Sequence, residues 1–110
     1  ATFVGTPPMN VVAHNGGYLG FRPENFLPKD MIGGGDVAEF SLRVERSEYL
    51  GSERIVYGVI EGGETAQKVT AKLPAHVAEA SIRSGEWHPF AVRNSALRYF
   101  DKNGQRSSRH

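Results

Sequence analysis

The chain has no cysteine, which excludes disulfides, thiol nucleophiles and thiolate metal ligation from its chemistry. That absence suits a reducing compartment such as the cytosol without requiring one. No apolar run approaches the roughly 18 residues needed to cross a bilayer, so direct membrane insertion is not expected. A strong charge of either sign is missing too. The formal net charge is +1, which advertises neither an acidic partner nor a nucleic acid. Charge does drift along the chain: residues 1–55 carry five basic and seven acidic side chains, residues 56–110 eight and five. Arg93, Arg98, Lys102, Arg106 and Arg109 make most of that basic excess. Such a tail can touch a phosphate backbone, but it reads first as a solvated terminus over 105–110.

Catalytic signatures are equally scarce. No G-x-x-x-x-G-K-[ST] loop is present to cradle and reach nucleotide phosphates. Gly33-Gly34-Gly35-Asp36 has the glycines but lacks the lysine, and it reads as a loop. His14, His76, His88 and His110 show neither i, i+4 pairing nor zinc-ligand spacing. Glu61 and Glu64 flank a glycine turn, and Glu45 and Glu48 lie close in sequence. Paired carboxylates become catalytic when burial separates their pKa values, and turn glutamates are usually solvated. No serine sits in a G-x-S-x-G elbow. The chain reads as non-catalytic, with no cofactor and no metal site of its own.

What is present is a strand pattern. At 110 residues, 39% hydrophobic and 23% charged, the chain suits one domain around a single modest core. Ala38, Phe40, Leu42 and Val44 alternate with Glu39, Ser41, Arg43 and Glu45, a half-buried strand. Tyr49 to Ser52 interrupts it, and Ile55 to Ile60 then runs apolar on both faces. Gly58 in the middle of that run predicts a bend, a bulge or a close backbone approach. Glu61-Gly62-Gly63-Glu64 reads as a turn, and Val69, Ala71 and Leu73 mark the return strand of a hairpin. Gly17 to Arg22 reads as a short strand stopped by Pro23, and Ile32 to Asp36 as a loop. Ala75 to Ser84 is expected to make two helical turns with Val77, Ala78 and Ile82 inward. Trp87 to Arg93 and Leu97 to Phe100 read as final strands, with Pro89 at an edge. The fold class is therefore all-β: an OB-like small barrel, partly open, of five or six short strands and one short helical turn.

Small five-stranded barrels often bind single-stranded nucleic acid, through aromatics beside a basic groove. Tyr49, Tyr57, Trp87, Tyr99 and Phe100 are available for stacking. Tyr57 lies in a doubly apolar strand, so core packing is the default for it, as for Tyr99 and Phe100. With net charge near zero, no nucleic-acid partner is expected.

The punctuation of the chain says more than any single side chain. Phe3-Val-Gly-Thr-Pro-Pro-Met-Asn10 resembles the F-[IV]-G-x-P-x-M-N connector in the ATP-binding subunits of MalK-type ABC importers. Gly20-Phe-Arg-Pro-Glu24 is similar to the G-[IV]-R-P-E element downstream of it. Val44-Glu-Arg-Ser-Glu-Tyr-Leu-Gly-Ser-Glu53 resembles that family's V-x-x-V-E-x-L-G-x-E strand and turn, with Ser47 where valine is usual and Glu48 where glutamate is. Tyr99 to Gly104 resembles the closing H-x-F-D-x-x-G, with Tyr99 one residue off register. Four elements in the family's order make the match specific.

The resemblance implies a TOBE domain, an OB-fold regulatory module that follows the ATPase domain of these subunits. Residues 1–10 then form the connector from an ATPase domain outside this chain, and 11–104 the regulatory domain. Phe3, Gly5, Pro7, Pro8, Met9 and Asn10 carry the connector. Pro7 and Pro8 fix φ and transmit orientation, and Phe3 and Met9 offer apolar anchors. The alternative is an N-terminal edge strand that merely ends in prolines. Arg22, held extended by Pro23, is expected to pin a strand end by pairing with Glu24 or Glu48, or else to contact the ATPase domain or a regulator. Leu50, Gly51 and Glu53 form a tight turn with the same two readings.

Between Asn10 and Gly20 the sugar-importer members carry several dozen more residues, whereas only Val11 to Leu19 fill that gap here. The barrel is therefore expected to leave an unpaired strand edge, closed by a second copy or by exchange of the N-terminal segment between two copies. The implied function is a non-enzymatic regulatory and dimerisation domain of a bacterial sugar, polyol or glycerol-phosphate importer. ATP and magnesium would belong to the ATPase domain, the permease would be an indirect partner, and the location would be cytoplasmic, peripheral to the inner membrane. The rival readings are a small-ligand or regulator sensor on the same fold and a single-stranded nucleic-acid module.

Overall fold

Strand pairing dominates the computed structural model, which describes residues 8–14, 16–33, 35–62, 65–77 and 82–103. Among the described residues eight strands run in chain order: β1 (Asn10–His14), β2 (Gly17–Phe21), β3 (Leu27–Pro28), β4 (Val37–Leu50), β5 (Glu53–Gly62), β6 (Thr65–Pro74), β7 (Trp87–Arg93) and β8 (Arg98–Phe100). They form a five-stranded sheet, β3-β7-β4-β5-β6, and a three-stranded sheet, β1-β2-β8, with every pairing antiparallel. The larger sheet curls into a half-barrel, and the fold is all-β and OB-like as expected.

The long central hairpin lies where the alternation puts it. Phe40, Leu42 and Val44 turn to the core, and Glu39, Ser41 and Arg43 to water. The alternation then breaks. Val44 pairs with Gly58 and Arg46 with Tyr57, so Glu45 is the extra residue of a β-bulge. Because side-chain direction has period two, this one-residue slip turns Ser47 inward and sends Arg46 and Glu48 outward. Gly58 is required there: a Cβ at Gly58 would collide with the Arg43 carbonyl and lie 2.9 Å from Leu42 Cδ1. Gly51 enters the two-residue turn at φ +64°, and Leu50 pairs with Glu53 across it.

The core lies between the two sheets. Val12, Leu19 and Phe21 from the smaller sheet meet Leu42, Val44, Val56, Val69 and Leu73 from the larger. Phe26 anchors the junction, its ring centroid 5.1 Å from Phe21 and 5.0 Å from Phe90. β3 covers only Phe90 and Ala91 of β7, leaving the strand's outer edge open at Pro89, where a missing N–H is tolerated.

Several expectations are corrected. Among the described residues there are eight strands, more than the five or six expected, and three single-turn 3₁₀ helices (Pro23–Asn25, Lys29–Met31, Asn94–Ala96). Val11 to Leu19 is no bare bridge but the β1–β2 hairpin, a pairing hidden because Val11-Val12-Ala13 shows no alternation. Of the expected helix, Ala75–Val77 is a turn and Ile82 and Arg83 are not helical, while 78–81 lie outside the described residues. A turn at Ser84–Gly85 leads into β7 and is tied to β4: Gly85 N donates to Val44 O at 2.7 Å, and Val44 N to Glu86 O at 3.2 Å. Tyr57 is half-buried on the outer face rather than in the core, because the bulge brings Arg46 and Glu48 alongside it.

Candidate functional site

Of the connector, Phe3, Gly5 and Pro7 lie outside the described residues, whereas Pro8, Met9 and Asn10 are placed. Asn10 starts β1 and is buried. Its Nδ2 donates to the Thr70 carbonyl at 2.8 Å, and Thr70 N donates to its Oδ1 at 2.8 Å. β6 pairs with β5 on one side only, so the Asn10 amide acts as a substitute peptide on its free edge and ties the two sheets together. Met9 lies over Gly20, where a Cβ would come within 3.0 Å of both its Sδ and the Phe100 ring.

Three of the sequence elements converge around that point. Met9, Arg22, Asn25, Ala96, Arg98 and Phe100 line a hollow of about 280 Å³. Met9 comes from the first element, Arg22 from the second and Phe100 from the last. Val11, Tyr18 and Met9 extend an exposed apolar surface on the same side, since Val11 pairs with Gly20 and Tyr18 with Phe100. The expected ion pairs of Arg22 are not formed: among the described residues it pairs with neither Glu24 nor Glu48. Pro23 opens a 3₁₀ turn that carries Glu24 into solvent, and Glu48 is engaged by Arg46 across the bulge. Arg98 Nη1 donates to the carbonyls of Leu97 at 3.0 Å and Ser95 at 3.3 Å, so the hollow presents two guanidinium groups and no carboxylate.

The other candidate turn lies at the far tip of the β4–β5 hairpin. Leu50 and Tyr49 are exposed there, and Glu53 pairs with Lys72 at 3.4 Å. Sequence reasoning missed its neighbour Arg54, which is buried with Nη2 donating to the Ile82 carbonyl at 2.9 Å and Nε to Ser47 Oγ at 3.3 Å. Nη1 is buried without a hydrogen-bond partner. The signal was faint: Arg54 precedes an apolar run, and nothing in the spacing shows it turning inward.

Across the bulge, Glu48 accepts from Tyr57 Oη at 2.9 Å and from Arg46 Nη1 at 2.9 Å, while the Arg46 guanidinium lies 4.0 Å from the Tyr57 ring centroid. The Tyr57 hydrogen bond, then the Arg46 contact, holds Glu48 below the ordinary 4.5 of a glutamate. The Glu48 hydrogen bond raises Tyr57 above the ordinary 10.0 of a phenol. A lowered carboxyl favours the fold above its unfolded value, and that contribution fades as pH falls through the folded one. A raised phenol favours the fold below its unfolded value and loses this as pH rises through the folded one. We expect NMR titration to place Glu48 below an ordinary glutamate, with Tyr57→Phe moving its midpoint upward. An unmoved midpoint would remove the hydrogen bond as the cause.

Among the described residues no cluster of three or more His, Asp or Glu forms a metal site, and no helix is long and apolar enough to cross a membrane. No family model matches the chain. Two curated relatives do. The chain is 36% identical over 99 aligned residues to the sn-glycerol-3-phosphate import ATP-binding protein UgpC of Rhodopseudomonas palustris, covering 74% of this chain and 26% of that protein. It resembles part of an importer's ATP-binding protein. The UgpC of Ruegeria pomeroyi is 30% identical over 123 aligned residues, covering 92% of this chain and 32% of that one. The chain thus spans about a quarter to a third of the length of these relatives. That second alignment is longer than the chain's own 110 residues, so the relative carries extra residues within the matched stretch.

Proposed function

We propose that this chain is the TOBE-type regulatory and dimerisation domain of the ATP-binding subunit of a bacterial ABC importer, for glycerol phosphate or a related polyol or sugar. The observation that carries the reading is the partial similarity to two importer ATP-binding proteins, each matched over no more than a third of its length. The all-β half-barrel is consistent with a regulatory module, and the sequence holds no phosphate-cradling loop. ATP and magnesium then belong to the ATPase domain, and the permease is an indirect partner at the cytoplasmic face of the inner membrane.

The Met9–Arg22–Phe100 hollow and the apolar surface beside it are the face assigned to the ATPase domain. This surface adjoins Met9, where the connector enters, and the Arg22 guanidinium, with Arg98 beside it, suits a partner's carboxylates. In this role the domain steadies the ATPase pair while its nucleotide faces open and close, as one half of a dimer.

Equilibrium binding and turnover assays on the purified chain test the reading. The chain alone is expected neither to bind nor to hydrolyse ATP, and to behave as a dimer in light scattering at tens of micromolar. ATP turnover abolished by a substitution within the chain would overturn the non-catalytic assignment. A strictly monomeric solution would remove the dimerisation role.

A further inference from the structure

A second hollow lies at the open mouth between the two sheets, away from the Met9–Arg22 face. Its volume is about 550 Å³, within the roughly 300–1,000 Å³ range of small-molecule sites. Val12, Leu19, Phe40, Ile60 and Leu97 give it an apolar floor. His14, Glu39, Glu61, Gln67 and Tyr99 supply its polar groups, and among the described residues no lysine or arginine lines it.

The walls are held by bonds that cross from sheet to sheet. Ala13 N on β1 donates to Gln67 Oε1 on β6 at 2.8 Å, and the Asn10–Thr70 pair lies further along the same two strands. The Tyr99 ring sits edge-on to His14, centroids 6.2 Å apart at 65°. The cleft is therefore preformed, and a ligand need not order it.

Charge decides what it would take. Glu39 is neutralised by Lys29 Nζ at 2.8 Å, a partner outside the lining. Glu61 has no ion-pair partner among the described residues. An uncompensated carboxylate and a tyrosine ring lining one cleft over an apolar floor complement a positive charge on an apolar body. Among the described lining residues an anion would meet two carboxylates and no lysine or arginine, and a neutral molecule would leave Glu61 unused. We propose that this cleft is a binding site for a small organic cation, an amine carried on an apolar or aromatic body, with Glu61 as its counter-charge and Tyr99 as its ring contact. The site is independent of the importer reading, and that reading can fail without affecting it.

Calorimetric titration of the 110-residue chain with phenethylamine, phenethyl alcohol and inorganic phosphate tests the proposal. Phenethylamine is expected to bind saturably, at millimolar affinity or tighter, and the alcohol about fivefold to tenfold more weakly. Phosphate is expected neither to bind in the cleft nor to displace the amine. Glu61→Gln should weaken the amine by a similar factor while leaving the alcohol unchanged, and Glu61→Asp should recover part of the loss. Glu61 is exposed, so unchanged thermal melting confirms that these variants fold. Lys68→Gln, exposed and outside the lining, should leave binding unaltered. The proposal is overturned if no amine binds, if the alcohol binds as tightly, if Glu61→Gln binds the amine unchanged, or if phosphate competes.

Discussion

Gly58→Val is expected to leave the chain largely unfolded, a loss of about 3 kcal/mol or more. Strand propensity points the other way, since valine is favoured over glycine in strands by an amount on the order of 1 kcal/mol. Geometry outweighs it. Gly58 faces Val44 at the bulge, and any Cβ there runs into the Arg43 carbonyl, a backbone atom that no rotamer change can move. Relief requires undoing the bulge, which would return Arg46 and Glu48 toward the core and break the Tyr57 contacts. Urea denaturation followed by circular dichroism measures the effect. A variant as stable as the parent would show that the strands separate there at little cost.

Asn10→Ala is expected to cost about 3 kcal/mol, lowering the melting temperature by about 15 °C. Two hydrogen bonds are lost, and the Thr70 N–H and C=O are left unpaired on an edge from which Asn10 shields them. A side-chain amide offers one donor and one acceptor at peptide-like spacing, and alanine offers neither. Asn10→Asp keeps the acceptor for Thr70 N but sets a carboxylate against the Thr70 carbonyl, so it too should destabilise. The midpoint of urea unfolding should fall in both variants with the slope unchanged. A loss below about 1 kcal/mol for alanine would mean that water replaces the amide on β6.

These two positions show how unevenly sequence and structure correspond. Gly58 announced itself, because a glycine within an apolar strand has few explanations, and close backbone approach was one of them. The resemblance puts Asn10 in the connector, and its burial against a strand sixty residues away has no local signature. Arg22 differs: the extended backbone before Pro23 follows from the sequence, but the 3₁₀ turn and the Glu48–Arg46–Tyr57 contacts take away its expected ion-pair partners. Met9, Arg22 and Phe100 were each picked out by motif, yet only folding showed that they share one hollow.

The sequence by itself determined the class of the fold: period-two alternation and glycine turns specify an all-β domain. It also located the central hairpin and its tight turn, since both depend on neighbours a few residues apart. Tertiary structure alone decided the β1–β2 hairpin, the inward Arg54, the Asn10 tie and the mouth of the half-barrel. Each of these depends on which distant backbone groups and charges meet. Local pattern carries no record of that, because a polar side chain is buried only when a partner arrives to satisfy it.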